Sequence, residues 1–190
     1  MNRLTKTLLT AGLMLTATAA SAHPGHGEGG FTSGLLHPML GLDHLLAMAA
    51  IGFWSMRQSK MMQRGTPLFM IGGMFLGAGL AFAGLSIPGV ETGIALSVML
   101  AGVLIATLAK LPTALGGTLV AAFMVFHGFA HAVEMPMGAH FAAYMAGFGL
   151  ATAAIAFAGR GLGALLMKTD NRISRGVGVA LAATGAFLAA

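Results

Sequence analysis

The chain has 190 residues, of which 57% are hydrophobic and 8% charged, against about 25% charged residues in a soluble domain; this is the composition of an integral membrane protein. The formal charge of +5 does not point to nucleic acid, because the basic residues recur in short loops between apolar runs, as topology determinants do, and no basic-aromatic patch accompanies them. Cysteine is absent, which excludes disulfides and thiolate metal sites.

At the N-terminus, Arg3 and Lys6 precede a short apolar core from Thr7 to Ala20 and an A-x-A site at Ala20-Ser21-Ala22. The core is shorter than the ~20 residues a membrane span needs, so residues 1–22 are predicted to be a cleaved signal peptide. The mature chain then opens with an outer histidine-rich tail, residues 23–30, containing His23, His26 and Glu28. A free amine beside the His23 imidazole, helped by His26, would be able to chelate Cu²⁺ or Ni²⁺; a flexible polar tail is the plainer reading.

Residues 31–190 read as an all-α, polytopic membrane domain of six transmembrane helices, near 31–55, 66–85, 91–109, 112–135, 140–159 and 174–190, each about long enough to cross ~30 Å of hydrocarbon. Ser86-Ile87-Pro88-Gly89 marks one turn. With the mature N-terminus outside, Arg57, Lys60, Arg64, Lys110, Arg160, Lys168, Arg172 and Arg175 all fall on the inner side, and both mature termini are periplasmic. The outer segments carry Glu28, Glu91 and Glu134 but no Lys or Arg, so the six-span arrangement satisfies the positive-inside rule throughout. Gly73-Met74-Phe75-Leu76-Gly77, with Gly72, Gly79 and Gly84 nearby, reads as a helix-packing feature. Three spans per half would give two inverted halves.

Imidazole and carboxylate side chains cluster within the apolar runs in two places. His37, Asp43 and His44 lie in the first span; His127, His131 and Glu134 lie in the fourth. Such groups are expensive at membrane depth, about 2.5–3.5 kcal/mol per charge on insertion scales, and imidazole with carboxylate is the donor set of a divalent transition metal. His37 and His44 are about 10 Å apart along a regular helix, too far for one ion, so they serve successive positions or the helix is interrupted at Pro38 and Gly41. Asp43 would ligate metal or orient the His44 imidazole. In the fourth span His127, His131 and Glu134 share one helical face, and an i, i+4 histidine pair is a two-ligand clamp. Because the two spans run in opposite directions, His37 should lie level with Glu134 and His44 with His127. A lone membrane histidine more often bonds a neighbouring helix than a metal; six clustered groups favour metal or proton handling. His140, beside Met135 and Met137, is an interfacial residue or an outer metal-capture group.

At these residues the chain resembles the HupE/UreJ family of hydrogenase and urease accessory proteins: His37-Pro38, Gly41 and Asp43-His44 in the first span, then Phe126-His127-Gly128, Ala130-His131 and Glu134 in the fourth. The family often has glycine where this chain has Ala132. The resemblance covers essentially the whole mature chain. It implies a bacterial inner-membrane permease for Ni²⁺, supplying nickel-enzyme assembly and working beside hydrogenase or urease maturation proteins, with the motif histidines and acids carrying the metal. The donor set itself does not choose among Ni²⁺, Co²⁺, Cu²⁺ and Zn²⁺. No P-loop is present, so no ATPase is recognisable in the chain. The reading is of a transporter and not an enzyme; the alternatives are an intramembrane metal-dependent hydrolase and a non-transporting metal sensor or chaperone.

Overall fold

A computed structural model describes residues 30–190; the expected signal peptide and the tail groups His23, His26 and Glu28 lie outside the described residues. Within them the chain is helical, with no strand: α1 (Gly30–Leu40), α2 (Leu42–Ser55), α3 (Lys60–Phe82), α4 (Val90–Ala106), α5 (Thr113–Val133), α6 (Phe141–Leu166) and α7 (Asn171–Leu188). By length and apolarity α3, α5 and α6 can each cross a membrane, and α1 with α2 makes a fourth crossing bent by 82°. Helix α4 is apolar but only 17 residues long, and α7 does not meet that standard. Four of the six expected segments are therefore of membrane-spanning character, one of them broken. Large apolar side chains such as Phe75, Leu76, Leu150, Phe157, Leu165 and Phe187 face outward, the exterior of a membrane protein rather than a soluble one.

The first segment breaks where the sequence is least able to sustain a helix. Pro38 lies inside α1 and has no N–H to continue the backbone ladder. Gly41 then takes an extended conformation (φ −88°, ψ 112°) and its carbonyl accepts from Leu45 N at 3.0 Å to start α2. Elsewhere the turns close tightly. After α3, Gly84 adopts φ +73° while Leu85 N donates to Leu80 O at 3.1 Å, a Schellman ending that favours glycine. After α4 the same ending is built on Leu108 at φ +57°, with Ala109 N donating to Leu104 O at 2.9 Å.

Three helix pairs dominate the packing: α1 and α2 against α6, α3 against α5, and α4 against α7. Each pair approaches through glycine. A methyl on Gly77 would overlap the Val125 carbonyl, and one on Gly128 the Met74 carbonyl. Gly34 sits on the Tyr144 carbonyl and Gly147 on that of Phe31; Gly102 meets Ala182, and Gly178 meets Ala106. Of the glycines expected around Gly73 and Gly77, those two are contact residues, whereas Gly72, Gly79 and Gly84 have open space beside them. Ala132, where the family often has glycine, is half-buried against the core.

The basic residues gather at one end. Arg57 Nη2 donates to Asn171 Oδ1 at 3.0 Å and Ser174 Oγ at 3.1 Å, and Arg160 reaches the Gln63 carbonyl. There Gln58 Nε2 donates to Ala109 O and Gln58 Oε1 accepts from Leu111 N, each at 3.0 Å. Trp54 Nε1 donates to Ala109 O at 3.0 Å. The interior beneath this seal is filled by Met48, Ile51, Trp54, Met62 and Met124.

Candidate metal centre

The broken helix and α5 place six polar groups along one line. At the end opposite the basic residues, His37 Nε2 lies 2.9 Å from Glu134 Oε2. Glu134 is the C-cap of α5, half-exposed, reached just after the apolar segment ends. One helical turn deeper, the His131 ring lies 4.7 Å from that of His37 and 4.3 Å from that of His44, centre to centre. Deeper again, the His127 ring is 4.7 Å from that of His44. The level pairing read from opposed helix directions is the one observed: His37 with Glu134, His44 with His127.

Burial increases along this line. His37 is half-buried, while His44, His131 and His127 are 6%, 1% and 0% exposed. Asp43 Oδ1 accepts from the backbone N–H of His44 at 2.7 Å and from its Nδ1 at 2.8 Å, so the carboxylate orients the imidazole and leaves Nε2 as its acceptor. His127 Nε2 lies 3.0 Å from Ser97 Oγ. Four buried ring nitrogens have no hydrogen-bond partner among the described residues: His44 Nε2, His127 Nδ1 and both nitrogens of His131. Buried polar atoms are normally paired, so four unpartnered ring nitrogens in one place are unusual; a neutral imidazole keeps one N–H, so His131 contributes one acceptor and one donor.

Only one group of three among the described residues brings its ligand atoms within 4.8 Å of one another: His37, His131 and Glu134. It borders a cavity of about 420 Å³, open to the outside and lined by His37, Leu40, Gly41, Asp43, His44, Glu91, His131 and Glu134. Three carboxylates and three imidazoles around one cavity are the kinds of donor that divalent cations take. His140 caps the start of α6 as an exposed residue and is not among the cavity's lining groups. Met137, near it in sequence, is fully exposed.

Sequence reasoning did not single out three contributors. Glu91, in the first turn of α4, counted only as an outer acid, yet it lines the cavity. Ser97 is a hydroxyl residue within an apolar helix, a common backbone-bonding residue with no signal of its own. Helix α6 packs against the histidines, with the Phe148 ring 3.9 Å from that of His131 and the Tyr144 ring 6.1 Å from that of His37; both aromatic residues are fully buried, and nothing in their spacing distinguishes them from core.

The family described as HupE / UreJ protein matches residues 11–188. Protein HupE of Rhizobium leguminosarum bv. viciae is 36% identical over 184 residues, covering 96% of each chain. No solved structure matches the chain significantly.

Proposed function

The chain belongs to the HupE/UreJ family, and from that premise we propose that it is an inner-membrane permease for Ni²⁺, with Co²⁺ as a second substrate, feeding hydrogenase or urease assembly. The observation that carries this reading is the continuity of the polar line. It runs from an open cavity with three carboxylates, through His37, His131 and Glu134, to His44 on the cavity lining and then to the fully buried His127. A sensor or an outer-surface scavenger has no use for buried imidazoles beyond its first site; a conductor does.

In this reading the acids Asp43, Glu91 and Glu134 gather the cation at the mouth. His37, His131 and Glu134 take the place of part of its water shell. His131 lies between the outer and inner groups and passes the ion to His44 and His127. Release then requires the seal of Trp54, Gln58 and the 107–112 loop to part, in the manner of alternating access. Eight basic residues at the sealed end favour, by the positive-inside rule, a cavity that faces the periplasm, and in this reading the mature termini lie on that face. The exchange symmetry of the helix pairs supports two inverted three-helix halves: swapping the halves turns the first-with-fifth span contact into the fourth-with-second, and the third-with-sixth contact into itself.

Radioactive Ni²⁺ uptake into proteoliposomes, with Co²⁺, Cu²⁺ and Zn²⁺ as competitors, tests the proposal. Saturable flux that is lost in His44→Ala and His127→Ala is expected. Metal binding without flux in the wild type would overturn the permease in favour of a sensor or chaperone.

A further inference from the structure

Ser97 sits on α4, 1% exposed, and its hydroxyl is engaged twice. It donates to the Ile94 carbonyl at 2.6 Å and lies 3.0 Å from His127 Nε2. A serine hydroxyl has a single hydrogen. The Ile94 oxygen carries none, so that bond consumes the hydroxyl proton, and the second bond forms only if His127 Nε2–H is the donor. A neutral imidazole protonated at Nε2 has its lone pair at Nδ1. That atom of His127 is buried with no partner among the described residues.

His44 is set in the complementary sense by Asp43, which takes the Nδ1 proton and leaves Nε2 as acceptor. The two rings lie 4.7 Å apart, edge to face. Each deep histidine thus donates through one ring nitrogen, to a carboxylate at His44 and to a backbone-tethered hydroxyl at His127, and leaves the other as its acceptor. In metal sites a ligating histidine commonly donates its second ring N–H to such a partner, which fixes tautomer and orientation.

We infer that Ser97 is a positioning residue for the inner cation position: relayed to the Ile94 carbonyl, it locks His127 as the Nε2–H tautomer and presents the Nδ1 lone pair to a metal shared with His44. This rests on the reading of His127 as a metal ligand. The choice of serine over alanine in an apolar helix follows from it, as does the use of Nδ1 at His127 beside Nε2 at His44.

The test is NMR of detergent-solubilised full chain with ¹³C,¹⁵N-labelled histidine, for wild type, Ser97→Ala and Ser97→Thr, with His127→Asn to assign the resonance. The wild type should show His127 as a single Nε2–H tautomer. Ser97→Thr, which keeps the hydroxyl, should preserve it, and Ser97→Ala should give a mixture. Ni²⁺ titration should find affinity about 10–100-fold weaker in Ser97→Ala and restored in Ser97→Thr. An Nδ1–H tautomer in the wild type, or an unmixed Nε2–H tautomer in folded Ser97→Ala, overturns the inference; the wild-type measurement alone suffices should the alanine variant not fold. Because tautomer and affinity are read without flux, absent transport with the expected tautomers would refute the permease and leave the positioning role standing.

Discussion

At the scale of single residues, Glu134 and His127 stand at opposite ends of one gradient. Glu134 is half in solvent, bonded to His37, and contributes a charge to the outer trio. His127 contributes a neutral lone pair where a fixed charge would be costly. Glu134→Gln keeps the shape and a hydrogen-bond acceptor for His37 but removes the charge. Loss of an outer-shell partner alone costs about 10–100-fold in metal affinity, and loss of a direct ligand should cost at least that; calorimetric Ni²⁺ titration checks it, and an unchanged affinity would exclude Glu134 as a ligand. Proton competition supplies a second expectation. Imidazole binds metal only when neutral, so metal binding opposes protonation and weakens on acidification. Affinity measured from pH 8 to pH 5 should decline monotonically; an increase on acidification would point to carboxylates alone, or to no histidine ligand.

Among the elements, the helix pairs owe their closeness to glycine. Gly128 follows the deepest histidine directly and abuts the Met74 carbonyl, so Gly128→Ala must push α3 away from α5. Overpacking of this kind costs about 1–3 kcal/mol. Gly79 faces open space, and Gly79→Ala should be neutral or slightly stabilising through helix propensity. Thermal unfolding in detergent of the two variants side by side checks the contrast; equal midpoints would refute the packing assignment. The placing of these elements was legible because apolar runs between Pro, Gly and basic residues announce themselves: Lys110-Leu111-Pro112 lies in the observed break between α4 and α5, and an interruption at Pro38 and Gly41 was one of the two readings that the His37–His44 spacing allowed. The motif histidines and acids were legible for the complementary reason, that they are polar where polarity is expensive. Glu91, Ser97, Tyr144 and Phe148 were not, because their roles depend on which helix faces them, and spacing within one helix carries no such information.

For the whole molecule, charge asymmetry and packing symmetry coexist. Basic groups collect at the sealed end and the cavity with its acids opens at the other. The natural absence of cysteine makes the topology directly measurable. Single cysteines at Glu91 or Met137 should react with a membrane-impermeant maleimide added outside spheroplasts, and cysteines at Lys60 or Lys110 only after permeabilisation. The reverse pattern would invert the proposed direction of entry.

The break at Gly41 has an electrostatic consequence that side chains do not exhaust. An α-helix leaves its last four carbonyls without intrahelical donors, and its C-terminal end carries about half a negative charge. Helix α1 ends at Leu40, and Leu40 and Gly41 both border the cavity. Helix α2 begins at the same place with the opposite partial charge, but Asp43 in its first turn offsets it. What remains is a backbone-borne attraction for cations beside the cavity. Substitution can remove Glu134 and leave this pull in place, so long as Asp43 continues to offset the start of α2.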